Sequence, residues 1–170
     1  MAKIAIIYYS LYGHVRTMAE EVKTGAVEAG ADCDIYQVSE TLSEEILTKM
    51  HAPPKSDHPV ITADKLTEYD GFIFGVSGRY GSIPAQMKAF FDSTGSLWQK
   101  GALVGKPCAC FQSTGSQAGG QESIALTGIL PYATHHGMTF VPLGYRDPAM
   151  FSFDEIHGSS PWGAGTYVSH

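Results

Sequence analysis

The chain has 170 residues, enough for one domain with a buried core of its own. Hydrophobic residues make up 44% of it and charged residues 16%, a composition that excludes a disordered chain. Its 17 acidic and 11 basic side chains give a net charge of −6, which argues against binding to nucleic acid or to an anionic membrane surface.

The first two predicted elements have the clearest patterns. Residues 3–9 are nearly continuous apolar sequence, which is typical of a strand buried on both faces of a parallel sheet. Over residues 14–29, apolar side chains recur at helical spacing with charged ones between them, and Gly30 follows. This spacing predicts an amphipathic helix that begins shortly after the first strand.

The rest of the chain continues to alternate strands and helices. Further strands are predicted at 32–38, 72–76, 107–111 and 138–143, and helices at 43–50, 83–91 and 121–130. Prolines interrupt the pattern and predict a loop over 51–64. Pro131 should end or kink the last helix, and Pro142 places the fifth strand at a sheet edge.

Five strands joined by helical crossovers predict a doubly wound α/β fold with a five-stranded parallel sheet. The second and fifth strands have the character of sheet edges and the other three are apolar, which matches the flavodoxin-like strand order 2-1-3-4-5. The chain shows no internal repeat or linker, so residues 1–170 are expected to form a single domain.

The sequence also predicts a cytoplasmic protein without a membrane span or a metal site. The apolar run near the N-terminus is too short for a signal peptide, and the longest stretch without charge, 123–145, contains glycines and prolines. Cys33, Cys108 and Cys110 are odd in number and lack the spacing of a zinc site or a disulfide framework. They are expected to be buried thiols.

Ligands in such sheets bind beyond the carboxyl ends of the strands, where the winding direction reverses. Three glycine-bearing loops are predicted at this edge, at 10–15, 77–82 and 112–120. Together they indicate a site for a flat, neutral ring system with a phosphate tail. Flavin mononucleotide (FMN) has that shape.

Each loop considered alone leaves a second interpretation open. Ser10 and Gly13 precede a long helix, where free amides and the helix dipole favour a phosphate monoester, but Ser10 could instead cap the helix. Arg79 and Tyr80 could hold and cover the ring, whereas a surface salt bridge is the alternative for Arg79. The third loop suits hydrogen bonds to a polar heterocycle and could equally be a mobile turn.

Short motifs along the whole chain point to a family. They lie at 8–14, 79–82, 86–92, 94–98, 113–115, 119–122, 135–138 and 160–163, and include Arg-Tyr-Gly-Ser and His-His-Gly-Met. In these motifs the chain resembles the WrbA family of flavodoxin-like NAD(P)H:quinone oxidoreductases. The resemblance implies non-covalent FMN and a ping-pong reaction, in which hydride from NADH or NADPH passes through flavin N5 and a quinone is reduced to a hydroquinone. It also implies a homo-oligomer, a dimer or tetramer, with active sites at subunit contacts.

The resemblance implies the site residues as well. The phosphate of FMN would be held by Ser10, Tyr12, Gly13, His14 and Val15. The isoalloxazine ring would lie against Gly78, Arg79 and Tyr80, and the pocket would be lined by Ser113, Thr114, Gly115, Ser116, Gln117, Ala118 and Gly119. Arg79 and His135 are expected to be catalytic, with His135 reaching the flavin, although a purely structural role for His135 stays open. Tyr12 is expected near the nicotinamide nucleotide and Trp98 near the quinone, whereas composition alone would place Trp98 in the core.

Three features differ from the family pattern. Ser77 and Gly78 stand where the family commonly has Pro-Thr, so a hydroxyl contact to the ring is expected to be displaced or lost. The third loop is one residue longer, with Gln117 and Ala118 in place of small residues. Residues 145–170 show no amphipathic helix where the family has a final one, so weaker FMN retention or cover by a partner subunit is expected.

Two functions of other classes stay open beside the reductase. One is a one-electron, flavodoxin-like carrier, and the other is an FMN-binding protein without catalytic activity. The carrier shares the fold and the acidic charge but would be monomeric and lack a flavin that a nucleotide can reach. The binding protein stays open because flavin binding does not prove turnover.

Overall fold

The computed structural model describes residues 1–116 and 119–168. Its strands are β1 (Lys3–Tyr8), β2 (Asp32–Gln37), β3 (Gly71–Ser77), β4 (Pro107–Thr114), β5 (Thr139–Phe140) and β6 (Ala164–Tyr167). Its α-helices are α1 (His14–Glu28), α2 (Glu44–Lys49), α3 (Ala85–Asp92), α4 (Gly95–Gln99), α5 (Gln121–Ile124) and α6 (Leu130–His136). A π-helical segment, Ala125–Ile129, joins α5 to α6, and 3-10 turns lie at Ala63–Glu68 and Pro148–Phe151.

The strands form one parallel sheet in the order β2-β1-β3-β4-β5. This order confirms the predicted doubly wound, flavodoxin-like fold. The winding direction reverses between β1 and β3, so the loops that follow these strands leave the sheet on the same carboxyl edge. That edge is where the sequence predicts the ligand.

The outer position next to β4 is shared by two short strands. β5 pairs with the start of β4, and β6 pairs with its end. The predicted fifth strand at 138–143 is therefore too long, because the chain leaves the sheet after the amide of Val141 donates to the carbonyl of Cys108. Pro142 has no amide with which to continue the ladder. β6 was not predicted, since Ala-Gly-Thr-Tyr carries no strand pattern.

Two predicted boundaries are also wrong. β4 runs to Thr114 rather than to Phe111, so the first residues of the predicted third loop belong to the strand. The helix predicted to end at Leu130 continues to His136. The π-helical segment in the turn before Pro131 widens the backbone where the proline ring would otherwise meet a carbonyl of that turn.

Apolar side chains cover the two faces of the sheet unequally. On one face, α1 packs Val15 and Ala19 against the strands, and within the described ranges no other helix joins this cluster. On the other face, α3, α4 and the helix from α5 to α6 bury a larger cluster around Phe74. There the rings of Phe91 and Tyr132 stack with their centroids 3.7 Å apart. This second face carries most of the core.

None of the helices in residues 1–116 and 119–168 combines the length and apolarity that crossing a membrane requires.

Candidate functional site

A cleft of about 320 Å³ lies at the carboxyl edge of the sheet, where the loops after β1, β3 and β4 meet. Nine residues predicted for the cofactor line it: Ser10, Tyr12, His14, Val15, Gly78, Arg79, Ser113, Thr114 and Gly115. Four residues outside the prediction complete the lining: Leu11, Met50, Ser77 and Val168. The structure thus brings the three predicted loops together at the switch point of the sheet.

The loop after β1 offers backbone amides to an anion. Gly13 has a φ of +95°, in the left-handed region that favours glycine, and α1 begins directly after it. The amides of the first helical turn have no acceptor within the helix, and this turn carries no acidic side chain. Because the positive end of the helix dipole lies at the same point, a phosphate group fits this loop.

Ser10 closes this loop rather than capping the helix. Its Oγ accepts a hydrogen bond of 3.1 Å from the amide of Gly13, one residue before α1 begins. Among the described side chains, none caps the first turn of α1. The capping interpretation of Ser10 is therefore wrong, and the amides of the first turn stay available for a ligand.

The loop after β3 is a tight hairpin between Arg79 and Ser82. Their backbones exchange hydrogen bonds of 2.8 and 3.0 Å around Tyr80 and Gly81, which both have positive φ. Tyr80 stands fully exposed at the tip and does not line the cleft. Arg79 lines the cleft, donates to the carbonyl of Gly78 at 2.9 Å and forms no ion pair with any described residue. The alternative of a surface salt bridge for Arg79 is therefore not supported among the described residues.

Ser77 supplies a hydroxyl that the sequence interpretation missed. Its Oγ is buried beside the cleft and has no hydrogen-bond partner in the part of the chain that the structure describes. A Cβ at Gly78 would lie 2.9 Å from Cδ1 of Ile124, so the family's threonine would not fit at this position without a shift. The hydroxyl that was expected to be displaced is therefore available one residue earlier. Its only sequence signal is a serine at the end of a buried strand.

The loop after β4 contributes less than predicted. Gly115 lines the cleft after the two strand-end residues, and no described residue beyond its own neighbours has an atom within 4 Å of where its side chain would project. Ser116 is exposed, and Gly119 folds back so that its amide donates to the carbonyl of Ser116 at 3.0 Å. Neither lines the cleft. The predicted contacts of Gln117 and Ala118 lie outside the described residues.

Two of the missed lining residues reach the cleft through long-range contacts. The hydroxyl of Tyr12 donates to the carbonyl of Met50 at 3.2 Å, which brings the end of α2 to the first loop. Val168 follows β6, and its amide donates to the carbonyl of Thr114 at 2.9 Å. No local sequence pattern predicts either contact, because both depend on how distant segments of the chain pair.

Trp98 and His135 lie apart from the cleft, in a second cavity of about 540 Å³. Helix side chains from α3, α4 and α6 form most of its wall. Ser82 at one end of the hairpin borders this cavity, whereas Arg79 at the other end borders the cleft. Trp98 is 58% exposed, so the expectation of a core position for it is wrong. One chain alone does not bring Trp98 or His135 to the cleft.

Known proteins resemble the chain over nearly its full length. Residues 2–146 match the family model described as NADPH-dependent FMN reductase. The quinone-oxidoreductase QR2 of Triphysaria versicolor is 56% identical over 168 residues, which are 98% of this chain and 82% of that protein. The NAD(P)H quinone oxidoreductase PST1 of Candida albicans is 52% identical over 167 residues, 98% of this chain and 84% of that protein.

Solved structures show the same architecture. A flavodoxin, WrbA-like protein from Agrobacterium tumefaciens is 25% identical with a TM-score of 0.64, covering 87% of this chain and 82% of that one. Oxidised flavodoxin 2 from Bacillus cereus is 17% identical with a TM-score of 0.61, covering 99% of this chain and 86% of that one. At that identity the second likeness concerns the fold alone.

Proposed function

The chain belongs to the NADPH-dependent FMN reductase family, and we propose that it is an FMN-dependent enzyme that uses NADH or NADPH to reduce quinones to hydroquinones. The observation that carries this proposal is the meeting of three loops at one cleft in a chain 56% identical to a named quinone oxidoreductase. That cleft is bordered by amides that suit a phosphate and by the hydroxyl of Ser77, which has no partner among the described residues.

The residues of the cleft divide into two roles. The first turn of α1, beginning at His14, would hold the phosphate through its amides. Ser77, Gly78 and Arg79 would meet the ring, where the guanidinium of Arg79 stabilises negative charge. FMN supplies the two-electron chemistry when it is bound, and the protein supplies position and electrostatics.

We further propose that the chain is a WrbA-like member of the family and works as a homo-oligomer, a dimer or tetramer. Its motifs and the WrbA-like structure at 25% identity support that branch. The hairpin from Arg79 to Ser82 separates Trp98 and His135 from the cleft of their own chain. A second copy is the arrangement that would bring these side chains to a flavin.

We also propose a single FMN-binding domain over residues 1–170 and a cytoplasmic location. All three cysteines are free and buried, which suits a reducing compartment. Burial raises the pKa of Cys108 to about 11, and burial with the neighbouring Cys108 raises that of Cys110 to about 12. These thiols stay protonated and are unreactive at neutral pH.

The test of the function is NADH oxidation by the FMN-loaded protein, measured with and without benzoquinone. A quinone-dependent rate, with rapid loss of the visible flavin absorbance on anaerobic mixing with NADH, is the expected result. Flavin binding with slow reduction by NADH would favour the one-electron carrier, and binding with no reduction would favour the non-enzymatic protein. Absence of FMN binding would overturn the proposal, because the activity depends on this cofactor.

A further inference from the structure

An ion pair stands directly behind the first loop, outside the cleft. Nζ of Lys55, in the segment between α2 and the first 3-10 turn, lies 2.6 Å from Oε2 of Glu40, which follows β2. The same Nζ lies 3.5 Å from the carbonyl oxygen of Ser10 and 4.9 Å from the centre of the Tyr9 ring. The pair therefore joins two other segments to the start of the loop.

Glu40 is held by more donors than this one lysine. Its carboxylate accepts hydrogen bonds from the hydroxyl of Tyr9 at 3.0 Å, from Nε2 of Gln86 at 2.8 Å and from the amide of Thr41 at 2.8 Å. The Glu40 side chain is 16% exposed and that of Lys55 31%. Burial alone would raise the pKa of Glu40, but the hydrogen bonds of Lys55 and the other donors lower it to about 2. The carboxylate is thus ionised at any working pH.

This pair differs from the other ion pairs between described residues. Each of those joins positions three or four apart in one local segment, as Glu45 and Lys49 do on the exposed face of α2. Exposed pairs of that kind contribute little to stability. Lys55 and Glu40 instead connect the ends of β1 and β2 with α3, through Tyr9 and Gln86.

We propose that Lys55 and Glu40 are positioning residues that hold the first loop in the conformation that binds the phosphate group of FMN. The inference rests on the proposed function. A loop that turns its amides toward an anion must direct its carbonyls elsewhere, and Lys55 attracts the carbonyl of Ser10 away from the cleft. Lys55 does not line the cleft but borders the small space behind the loop, so it acts through the loop and not on the ligand.

The experiment compares FMN with riboflavin, which lacks the phosphate. E40Q and K55M are titrated with each flavin, and quenching of flavin fluorescence gives the two dissociation constants. We expect both variants to weaken FMN binding by about tenfold, because misplacement of a binding group is costly. Riboflavin binding should change less than about twofold, because the ring contacts are untouched. K55R, which keeps the charge and the reach, should restore most of the FMN affinity.

The sign of the E40Q effect separates positioning from simple charge. If only the local charge mattered, removal of the Glu40 carboxylate would tighten FMN binding, and only K55M would weaken it. Positioning instead predicts that both substitutions weaken it. E45Q and K49M remove the exposed pair on α2 and are the matched controls, with no expected change for either flavin.

Each outcome decides the proposal. Equal loss of affinity for FMN and riboflavin, tighter FMN binding by E40Q, or unchanged FMN binding by K55M would each overturn it. If E40Q does not fold, Y9F carries the same comparison, because it removes a donor to Glu40 without changing any charge: positioning predicts weaker FMN binding, whereas a pure charge effect predicts none. Wild-type protein that binds FMN but reduces no quinone would refute the proposed activity and leave this inference standing, whereas wild-type protein that binds no FMN would refute both.

Discussion

The two cavities of the molecule are built in different ways. The cleft is lined by loops at strand ends, with glycines, hydroxyls and helix-terminal amides, whereas the second cavity is lined by helix side chains that include the aromatic rings of Phe91, Trp98 and Tyr132. Fixed amides suit a charged ligand, and an apolar wall suits a ring or another protein surface. Flavin affinity and substrate turnover should therefore respond to different substitutions.

The largest effect on stability is expected at a residue that both lines the second cavity and belongs to the hydrophobic core. Phe91 stacks on Tyr132 at 3.7 Å and meets Phe74 edge-on at 5.3 Å. F91A should lower the free energy of unfolding by about 3 to 5 kcal/mol, measured by urea denaturation. L126A, at an exposed position of the neighbouring helix, is the control and should change it by less than about 0.5 kcal/mol. A small loss in F91A would mean that this wall is not part of the core.

Acid should lower the free energy of unfolding by protonating Glu40, which lies behind the cleft. The pKa of Glu40 falls from its ordinary value of 4.5 to about 2 in the folded protein, since the hydrogen bonds of Lys55 and other donors outweigh its burial. Because the folded pKa is the lower one, the carboxylate stabilises the fold above pH 4.5, and this contribution is lost as the pH falls toward 2. It amounts to roughly 3 kcal/mol at neutral pH.

Unfolding of wild type and E40Q across this pH range tests the effect of Glu40. The difference between their free energies of unfolding should be greatest at neutral pH and shrink as the solution is acidified. E45Q should match wild type at neutral pH, because its ion pair is exposed. A constant difference between wild type and E40Q would contradict the assignment to Glu40 ionisation.

Gly13 tests whether the cleft depends on backbone shape alone. Apart from Gly13 and its two neighbours, no described residue has an atom within 4 Å of the place where its Cβ would stand, so G13A adds no collision and only strains the positive φ. The flavin-free loop of G13A should relax to a negative φ, and restoring the left-handed conformation on binding costs an ordinary residue about 1 to 2 kcal/mol, so FMN affinity should fall by about tenfold. G25A within α1 is the control, because it should raise the free energy of unfolding by about 1 kcal/mol and leave FMN binding unchanged. Equal FMN affinity in wild type and G13A would argue against this loop as the phosphate site.

Trp98, in the wall of the second cavity, should affect quinone reduction and not FMN binding. It does not line the cleft, so W98A should change the dissociation constant of FMN by less than about twofold. The quinone-dependent kcat/KM should fall by about tenfold if a second copy brings this side chain to the flavin. V104A, at another exposed apolar position, serves as the control. A parallel loss of FMN affinity in W98A would mean that the two cavities act as one site.

The fold was largely predictable because its main signals are local. The apolar run of β1 and the helical spacing of α1 appear in the sequence without reference to any other segment. β6 and the π-helical segment before Pro131 could not be predicted in this way. The first exists because it completes the edge of β4, and the second because the helix must continue past a proline.

The candidate site was likewise predictable only where its signals are local. The loop with Gly13 follows from a strand, a glycine and a helix start in succession, which are all local. Met50 and Val168 reach the cleft through contacts between distant segments, and no spacing in the sequence indicates them. The roles expected for Trp98 and His135 were inferred from family resemblance alone, and within one chain the structure leaves both outside the cleft.

Substitution of Ser77 should give the smallest effect. It is also the most specific one, because the free energy of unfolding and the affinity for FMN are expected to change in opposite directions. Its buried Oγ has no partner among the described residues, and such an orphan group costs the flavin-free protein about 1 kcal/mol. S77A should therefore raise the free energy of unfolding without FMN by roughly that amount, while FMN affinity falls by about fivefold through loss of a hydrogen bond to the ring. S116A, on the exposed part of the third loop, should do neither. Unchanged affinity in S77A would show that the hydroxyl does not meet the flavin, and lower stability would show that it has a partner within the fold.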